Sequence, residues 1–579
     1  MGKKSSQKKL KKLSATEKNT TGDISTKKST TKSPINNSTE SQVVDTVQTS
    51  LGSRLFGLSK KTFVAALMVA GLIVLAFFAI FIWGELTKPA SIAKFIPQDA
   101  VGFVEFDTKI EGNNWQNYNN LTEGKNFPTI SALIGEVNTI FTVDIMKDVY
   151  PWLSRRAGVA LLSDAKGAMF LEVTNEKQAL DFFRQHRLTS ITEDLKEETI
   201  EGVKTYHYIA SSPLTLAFLG NYLVVASDTK AIAQIIKATK EKSLFANSNF
   251  QRINNAVPQK NRLGFVFMRP GQLTQIMQSL PSIVSGVLTQ NFTTEGASMK
   301  ALDDMFIIEH VALFAQKKSS KNEKKYRGNL IGMCSDKTQL YIGGENFASI
   351  SDKINGMFSD PSANMQPQAA STNVLTSYLE EAIRSTFDGN ISVNDIKTLL
   401  AGEYGFAIDN GQMKAFIELT NPAEQEKILK KMIQGVESSR ILFQPIVEND
   451  TIKGSAKNMK SSKDEYKGIA IQATEIEGDT KGIYLAIVGD IAIITLSKEE
   501  MHRTIDTING SVPTLKSTQA YAKYFEPQLQ AADDIVYARP RDLTNTLPDV
   551  LKFLGNISEI SLSTNSFENA VKTIIFFSP

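Results

Sequence analysis

The chain has 579 residues, 42% of them hydrophobic, and is therefore long enough for several domains with substantial apolar cores. Its 64 basic and 61 acidic residues leave a formal net charge of only +3. A single cysteine, Cys334, excludes an intramolecular disulfide and any cysteine-rich metal site. Exported eukaryotic domains more often carry disulfides, so this cysteine content favours a bacterial source if the chain is exported.

The basic excess belongs to the first 61 residues. Residues 1–61 hold 13 basic and 4 acidic side chains, 13 − 4 = +9, which leaves 3 − 9 = −6 for residues 62–579. The remainder of the chain therefore gives no indication of nucleic-acid binding. Lys, Ser, Thr and Asn dominate residues 1–50 and cannot offset the entropy cost of ordering. We predict that residues 1–61 form a disordered, basic, cytoplasmic tail.

Residues 62–84 contain no charge and are predicted to be a transmembrane helix. At 1.5 Å per residue they span about 34 Å, enough to cross a hydrocarbon core of about 30 Å. The basic tail before them and Glu85 after them orient the chain with its N-terminus in the cytoplasm and its body outside the plasma (inner) membrane. A cleaved signal peptide, which has a shorter apolar region, and a helix buried in a protein core are the alternatives. Residues 85–94 are predicted to be a juxtamembrane linker.

The body opens at residues 95–107, where a turn around Pro97 and Asp99 leads into the alternating pattern of a strand. Beyond this strand the sequence repeats itself. Residues 156–161 (RAGVAL) return as 403–408 (EYGFAI), and 168–175 (AMFLEVTN) return as 414–421 (KAFIELTN).

The repeat continues in the same order. Gly220-Asn221 and Gly489-Asp490 are each followed by β-branched residues, a pattern typical of a tight turn that leads into a buried strand. Residues 263–273, with Arg269-Pro270, match residues 533–543, with Arg539-Pro540. These four ordered matches indicate an internal duplication.

The fold prediction is therefore α+β: one N-terminal transmembrane helix followed by two tandem homologous lobes of antiparallel sheet with helices, 95–334 and 335–579. Each lobe is predicted to end in two strands, 310–316 with 327–333 and 559–563 with 571–577. The strand that opens the first lobe, the Gly-Asn and Gly-Asp turns and the N-terminal anchor resemble a bacterial membrane-anchored envelope family known as domain of unknown function 3352. The resemblance implies this topology and carries over no activity or site residues.

No motif in the sequence predicts catalytic, cofactor-binding or metal-ligating residues. The four histidines, His186, His207, His310 and His502, lack metal-ligand spacing, and His310 is placed at the start of the predicted strand 310–316. There is no nucleophile elbow, phosphate-binding loop or dinucleotide fingerprint. We therefore expect no enzyme activity and no cofactor.

Adjacent carboxylates occur at three places: Glu105/Asp107, Asp303/Asp304 and Asp533/Asp534. Glu105 and Asp107 lie on one strand face, which we interpret as solvated, although such a pair can raise one pKa. Two lysine-rich segments, 316–327 and 457–467, are predicted to be hairpin loops. Either they are simply exposed to solvent, or they bind anionic lipid headgroups or cell-wall polymers.

Three functions remain open. The leading one is a non-enzymatic scaffold or binding protein of the bacterial envelope, held by one transmembrane helix and facing an envelope protein or an anionic polymer. The second is a carrier of lipid or another apolar ligand, with a cavity between sheet and helices. The third is a hydrolase of envelope polymers, which requires carboxylates that converge from distant strands.

Overall fold

The computed structural model describes residues 91–579 except 110–111, 126, 128, 142, 186–194, 209–213, 277–291, 315–324, 348–388, 440–445, 449–450, 454–458, 477–480, 530, 544–554 and 568. The predicted tail, transmembrane helix and most of the linker lie outside these residues, as does His186. Within them, no helix combines the length and the apolar character that a membrane crossing requires.

Within its described residues the first lobe contains ten strands, and each of their pairings is antiparallel. They are β1 (Gly102–Asp107), β2 (Leu153–Leu161), β3 (Gly167–Val173), β4 (Lys196–Ile200), β5 (Val203–His207), β6 (Thr215–Leu219), β7 (Tyr222–Ala226), β8 (Gly264–Met268), β9 (Phe292–Ala301) and β10 (Phe306–Phe314). The pairings place them in the order β4-β5-β6-β7-β3-β2-β1-β8-β9-β10.

The second lobe repeats this arrangement. Its strands are β11 (Thr338–Glu345), β12 (Glu403–Asp409), β13 (Gln412–Glu418), β14 (Ile446–Glu448), β15 (Thr451–Lys453), β16 (Met459–Tyr466), β17 (Ile469–Ile476), β18 (Lys481–Val488), β19 (Ile491–Ser497), β20 (Asp534–Ala538), β21 (Glu559–Phe567) and β22 (Ala570–Ser578). Apart from a separate β14–β15 pair, the order is β16-β17-β18-β19-β13-β12-β11-β20-β21-β22. Each strand of this order therefore has a counterpart at the same place in the first lobe, whereas β14 and β15 have none among the described strands.

Local contacts repeat as well. Gly220 in the β6–β7 turn and Gly489 in the β18–β19 turn have φ values of 60° and 63°, which favour glycine. The backbone N–H of Arg269 donates to Val101 O, and that of Arg539 donates to Gln339 O, both at 2.8 Å. The turns and the Arg-Pro pairs thus fall in corresponding elements, as the sequence matches predict.

The two lobes share one sheet, because β10 pairs with its own counterpart β22. Phe306 pairs with Phe577 and Leu313 with Ala570, so the start of each strand faces the end of the other. This is the geometry of a contact between two copies related by a two-fold axis. The result is a continuous sheet of twenty strands.

Helices cover both faces of the sheet. On one face of the first lobe, Phe170 and Tyr222 pack with Ile232 and Ile235 of a helix; on the other, Leu171 and Leu223 pack with a different helix. The α-helices are α1 (Asn113–Thr122), α2 (Ile130–Phe141), α3 (Glu176–Gln185), α4 (Thr229–Lys240), α5 (Ser248–Ala256), α6 (Pro270–Ile276), α7 (Val393–Leu399), α8 (Pro422–Ser439), α9 (Lys498–Ile508) and α10 (Glu526–Leu529).

Burial explains why these strands form. Alternate residues of β3 and β7 point to opposite faces, and both sets are apolar apart from the partly exposed Glu172, because both faces are covered. Each large apolar side chain that is fully buried contributes about 1.5–3 kcal/mol. The outermost strands β4 and β16 are instead charged, with Lys196, Glu197 and Glu198 on one and Lys463 and Asp464 on the other. Charged edge strands hinder edge-to-edge association.

The structure confirms mixed helix and antiparallel sheet, and it corrects three local predictions. Residues 327–333 do not form a strand: Leu330–Met333 is a 3-10 helix, and the partner of β10 within its lobe is β9. Most of the lysine-rich segment 457–467 is strand β16 rather than a loop, and His310 lies in the middle of β10 rather than at its start. The lysine tip 316–327 lies mostly outside the described residues. Its described end, Lys325, pairs with Asp533 at 2.7 Å.

Candidate functional site

A lysine lies inside the core of the second lobe. On β13, Lys414 points to the same face as Phe416, which is fully buried against helix α9. The Lys414 side chain is likewise 0% exposed. Because an unpaired ammonium is costly in such a place, the surrounding residues must compensate its charge.

Two carboxylates compensate it. Lys414 Nζ lies 2.8 Å from Asp409 Oδ2, at the end of β12, and 2.9 Å from Glu500 Oε1, in the first turn of α9. Both carboxylate side chains are 0% exposed. Arg503, at the edge of the group, places Nη1 3.6 Å from Glu500 Oε2. We call Asp409, Lys414 and Glu500 the buried ion cluster.

The cluster shifts the titration of its members. Burial acts to raise the pKa of Asp409, but the attraction and hydrogen bond of Lys414 outweigh it and hold that pKa below its ordinary value. Burial raises the pKa of Glu500, and Lys414 offsets this only in part. Burial acts to lower the pKa of Lys414, but its acidic neighbours raise it above the ordinary value.

The first lobe is apolar at the same place. Lys414 pairs with Ala407 across β12, whereas its counterpart Ala168 pairs with Ala160 across β2. Ala168 is 1% exposed and belongs to the apolar core. A lysine ammonium thus occupies a position that the duplicated fold fills elsewhere with a methyl group.

The two carboxylates have apolar counterparts too. Asp409 lies two residues beyond Ala407, as Leu162 lies two residues beyond Ala160, and Leu162 is 1% exposed. Glu500 and Ala231 each donate a backbone N–H to the side chain of their helix's N-cap residue, at 3.2 and 2.8 Å. Around the cluster the second lobe has polar or thiol side chains where the first has alkyl groups: Cys334 for Ile96, Thr338 for Ala100, Thr495 for Ala226 and Thr504 for Ile235.

The buried ion cluster is charged, but its side chains are not accessible from the surface. Asp409 Oδ1 and Glu500 Oε2 are buried without a hydrogen-bond partner. Cys334 is fully buried beside the cluster, and burial raises the pKa of its thiol to about 12, so the thiol is not a nucleophile at neutral pH. In this structure the site can carry a net charge or bind a proton, but its buried side chains cannot contact a substrate.

Sequence reasoning missed this cluster, although the signal was present. The repeat itself aligns Lys414 with Ala168, and a lysine aligned with a core alanine on a strand indicates a buried charge. Asp409 and Glu500 come from a strand end and a helix start separated by 91 residues. Only their three-dimensional arrangement brings them to Lys414.

Glu105 and Asp107 differ from the predicted solvated pair. Glu105 is only 4% exposed, and its Oε1 lies 2.9 Å from Arg156 Nη1. Arg262 Nη2 lies 3.7 Å from the other oxygen. Asp107 Oδ1 instead accepts the backbone N–H of Lys109 at 3.0 Å. The prediction of a solvated face is therefore wrong for Glu105, whose carboxylate is held by two arginines.

The other carboxylate pairs are held by separate partners. Asp304 pairs with Lys523 at 2.7 Å on the surface. Asp533 is 3% exposed and accepts the backbone N–H of Ser566 at 2.7 Å. Asp534 accepts the hydroxyl of Thr564 at 3.0 Å.

The three described histidines lie apart. His207 Nδ1 is 3.8 Å from Glu198, His310 Nε2 is 3.4 Å from Glu295, and the His502 ring stacks on Tyr466 with centroids 3.8 Å apart. Across the part of the chain that the structure describes, no group of three or more His, Cys, Asp or Glu side chains is arranged to hold a metal ion.

A second acidic group in the second lobe surrounds one arginine. Arg327 Nε lies 3.3 Å from Glu345 and 3.9 Å from Glu403, and its Nη2 donates to Glu418. Glu418 raises the pKa of Arg327. Glu403 is 1% exposed and also accepts the backbone N–H of Leu330 at 3.0 Å. These contacts fix the segment between the lobes onto the second lobe.

Comparison with known proteins gives a family and no activity. Crystal forms I, III and IV of TP0453 are similar at 8–9% identity over 39–40% of this chain and 81–84% of that chain. Their TM-scores of 0.23 to 0.25 are too low to support an argument. No curated protein matches the sequence. A family model described as "Protein of unknown function (DUF3352)" matches residues 62–426. Because this match covers more than half of the chain, the protein belongs to the DUF3352 family.

Proposed function

We propose that this protein is a non-enzymatic scaffold or binding protein of the bacterial envelope, held in the plasma membrane by residues 62–84 with its body outside the cytoplasm. The observation that carries the proposal is the continuous twenty-stranded sheet, which makes one extended platform of two lobes. Helices on both faces and charged edge strands suit a platform that presents surfaces without associating through its edges.

The topology is tested by adding protease to intact spheroplasts. The body should be degraded, and a fragment that contains the tail and residues 62–84 should remain. A control digestion after detergent lysis should degrade the tail as well. A body that survives in intact spheroplasts would contradict the proposal.

Binding to a partner is tested by photo-crosslinking in whole cells. A photoreactive amino acid at Met413, which is 58% exposed, should give a discrete crosslinked product. The same group at Lys337, on the surface of the same lobe, serves as the control. A platform without a partner would give the same faint background at both positions.

A carrier of acyl chains is the second candidate, and a specific observation favours it. Ile342 and Phe406 are cross-strand neighbours on one sheet face of the second lobe, and each is 40% exposed. Adjacent exposed apolar side chains suit an apolar ligand. The amount of lipid that can be extracted from the purified full-length protein should fall in the Phe406→Ser variant. The control variant Val159→Ser, at the corresponding place in the first lobe, should contain as much lipid as the parent protein. Equal lipid in both variants and the parent would exclude this candidate.

A further inference from the structure

An exposed aromatic ring lies beside the point where the described chain begins. Phe245, in the 3-10 helix Leu244–Ala246, is 39% exposed. The Nζ of Lys94 lies 5.5 Å from the centroid of its ring. An aromatic side chain at the surface with lysines around it is a combination that favours the interface of an anionic membrane.

The turn that carries Phe245 is bound directly to the segment that follows the predicted anchor. The backbone N–H of Leu244 donates to Ile96 O at 2.7 Å, and Pro97 and Ser243 form a β-bridge. Ile92 and Ala93, just before these contacts, are 0% exposed. The ring therefore has a fixed position relative to the start of the body.

The neighbouring surface is basic. Residues 229–242, which comprise α4 and two residues after it, hold four lysines and one glutamate, 4 − 1 = +3. Among them, Lys237, Lys240 and Lys242 are exposed. We call Phe245 with Lys94, Lys237, Lys240 and Lys242 the basic patch.

Neighbouring acidic groups reduce this charge without removing it. Lys237 pairs with Glu201 at 3.3 Å, and Glu241 and Asp99 line the adjacent cleft. This cleft has a volume of about 570 Å³, and Arg269 lies in its wall. The Arg269 guanidinium donates to Gln98 O at 2.6 Å. An anionic headgroup could therefore meet lysines at the rim and an arginine in the cleft.

The second lobe provides a comparison within the same molecule. The corresponding segment 498–511 holds two basic and three acidic residues, 2 − 3 = −1. At the position of Phe245 it has Lys516, one residue after Leu515, whose backbone N–H donates to Cys334 O at 2.8 Å. The aromatic and basic combination is therefore not a requirement of the duplicated fold.

Chain length determines which surface lies near the membrane. Six residues, 85–90, separate the predicted anchor from Ser91. Fully extended, the chain from Gly84 to Ser91 spans at most about 25 Å. The start of the body, with the basic patch beside it, is thus held close to the membrane that contains the anchor.

We propose that the basic patch docks the body onto anionic phospholipid headgroups of the membrane that holds the anchor. This inference rests on the proposed anchoring. Docking fixes the orientation of the platform relative to the membrane, with Phe245 at the headgroup level and the lysines around it.

The test uses the full chain in proteoliposomes. Phe245→Cys and the matched control Lys516→Cys are labelled with an environment-sensitive fluorophore, which the fully buried native Cys334 should not take up. In vesicles that contain phosphatidylglycerol, spin-labelled lipid should quench the label at 245 and leave the label at 516 bright. Phosphatidylcholine alone, or high salt, should reduce quenching at 245.

Lysine variants measure the strength of docking. In the Phe245→Cys background, Lys94→Gln and Lys242→Gln should each lower the ratio of docked to undocked protein about fivefold. Equal quenching at positions 245 and 516, or quenching that does not depend on anionic lipid, would overturn the inference. Alkaline extraction separates the two proposals: release of the protein contradicts the anchor, whereas retained protein without quenching at 245 contradicts only docking.

Discussion

The two lobes have the same strand order but different interiors. At the places where the first lobe buries Leu162, Ala168 and Ala231, the second buries Asp409, Lys414 and Glu500. The first lobe demonstrates that this arrangement of strands and helices does not need buried charge at these three places, although it buries Glu105 elsewhere. The ion cluster is therefore a property of the second lobe and not of the fold, and buried ion pairs are often no more stable than apolar side chains of similar volume.

Removing the cation should have the largest effect. Lys414→Ala leaves two carboxylates buried without their partner, which should destabilise the second lobe by about 3–5 kcal/mol. Hydrogen exchange followed by mass spectrometry should detect faster exchange in β12, β13 and β19, with β2, β3 and β7 unchanged. Lys337→Ala, at an exposed lysine, is the control, and unchanged exchange in Lys414→Ala would mean that the carboxylates find other compensation.

Replacing the whole cluster should restore stability. The triple variant Asp409→Leu, Lys414→Ala, Glu500→Ala copies the residues of the first lobe and leaves no buried charge at the place of the cluster. We expect it to exceed Lys414→Ala in stability by about 3 kcal/mol or more, since apolar replacement of a buried triad is often neutral or stabilising. The same exchange experiment measures it. A triple variant less stable than the single one would show that the two interiors are not interchangeable.

Acid should affect the two lobes differently. Because burial raises the folded-state pKa of Glu500 above its ordinary value of 4.5, its ionised form weakens the fold. Stability should therefore rise as pH falls from neutral through that folded-state pKa, and this gain should be complete below 4.5. The pKa of Asp409 is lowered, so its contribution is present above its ordinary value of 3.8 and lost as pH falls below it. The Glu500→Gln variant should no longer gain stability as pH falls from neutral, but it should still lose stability as pH falls below 3.8. The readout is exchange in β12 and β13 against pH, with β3 and β7 of the first lobe, which surround the apolar counterpart of the cluster, as the reference.

Substituting the turn glycines should have the smallest effect on stability, and the effect should be the same in both lobes. Gly220→Ala and Gly489→Ala each force alanine to a positive φ, at a cost of about 1–2 kcal/mol. Neither added Cβ meets another atom within 4 Å, so the cost is local to the backbone. Thermal unfolding of the full chain should show similar shifts for both variants. A clear inequality would mean that the two turns differ beyond their backbone.

Local sequence predicted the repeated pieces well and their assembly poorly. Gly220-Asn221 and Gly489-Asp490 specify their turns through residues in contact along the chain. The order of strands depends on pairings between distant segments, and nothing in the sequence of β10 or β22 indicates that each pairs with the other. That join therefore appears only in the structure.

Three errors have identifiable causes. The apolar run in residues 327–333 is short, and a run of that length does not distinguish a strand from a helical turn. Lysines in residues 457–467 favoured a loop, but an edge strand also carries charge, because one side of it faces solvent. Burial of Glu105 was missed because its partners Arg156 and Arg262 come from other segments.

The pairing of β10 with β22 has a consequence for how the protein could evolve. A single lobe with such an edge would associate with a second copy of itself as a symmetric dimer, and tandem duplication would convert that dimer into one chain without changing the hydrogen bonds of the join. In a symmetric dimer every substitution occurs twice. In the fused chain, a buried lysine such as Lys414 can occur in one lobe without occurring in the other. An exposed phenylalanine such as Phe245 can likewise occur in one lobe alone. Such a fusion would allow the two halves to accumulate different substitutions.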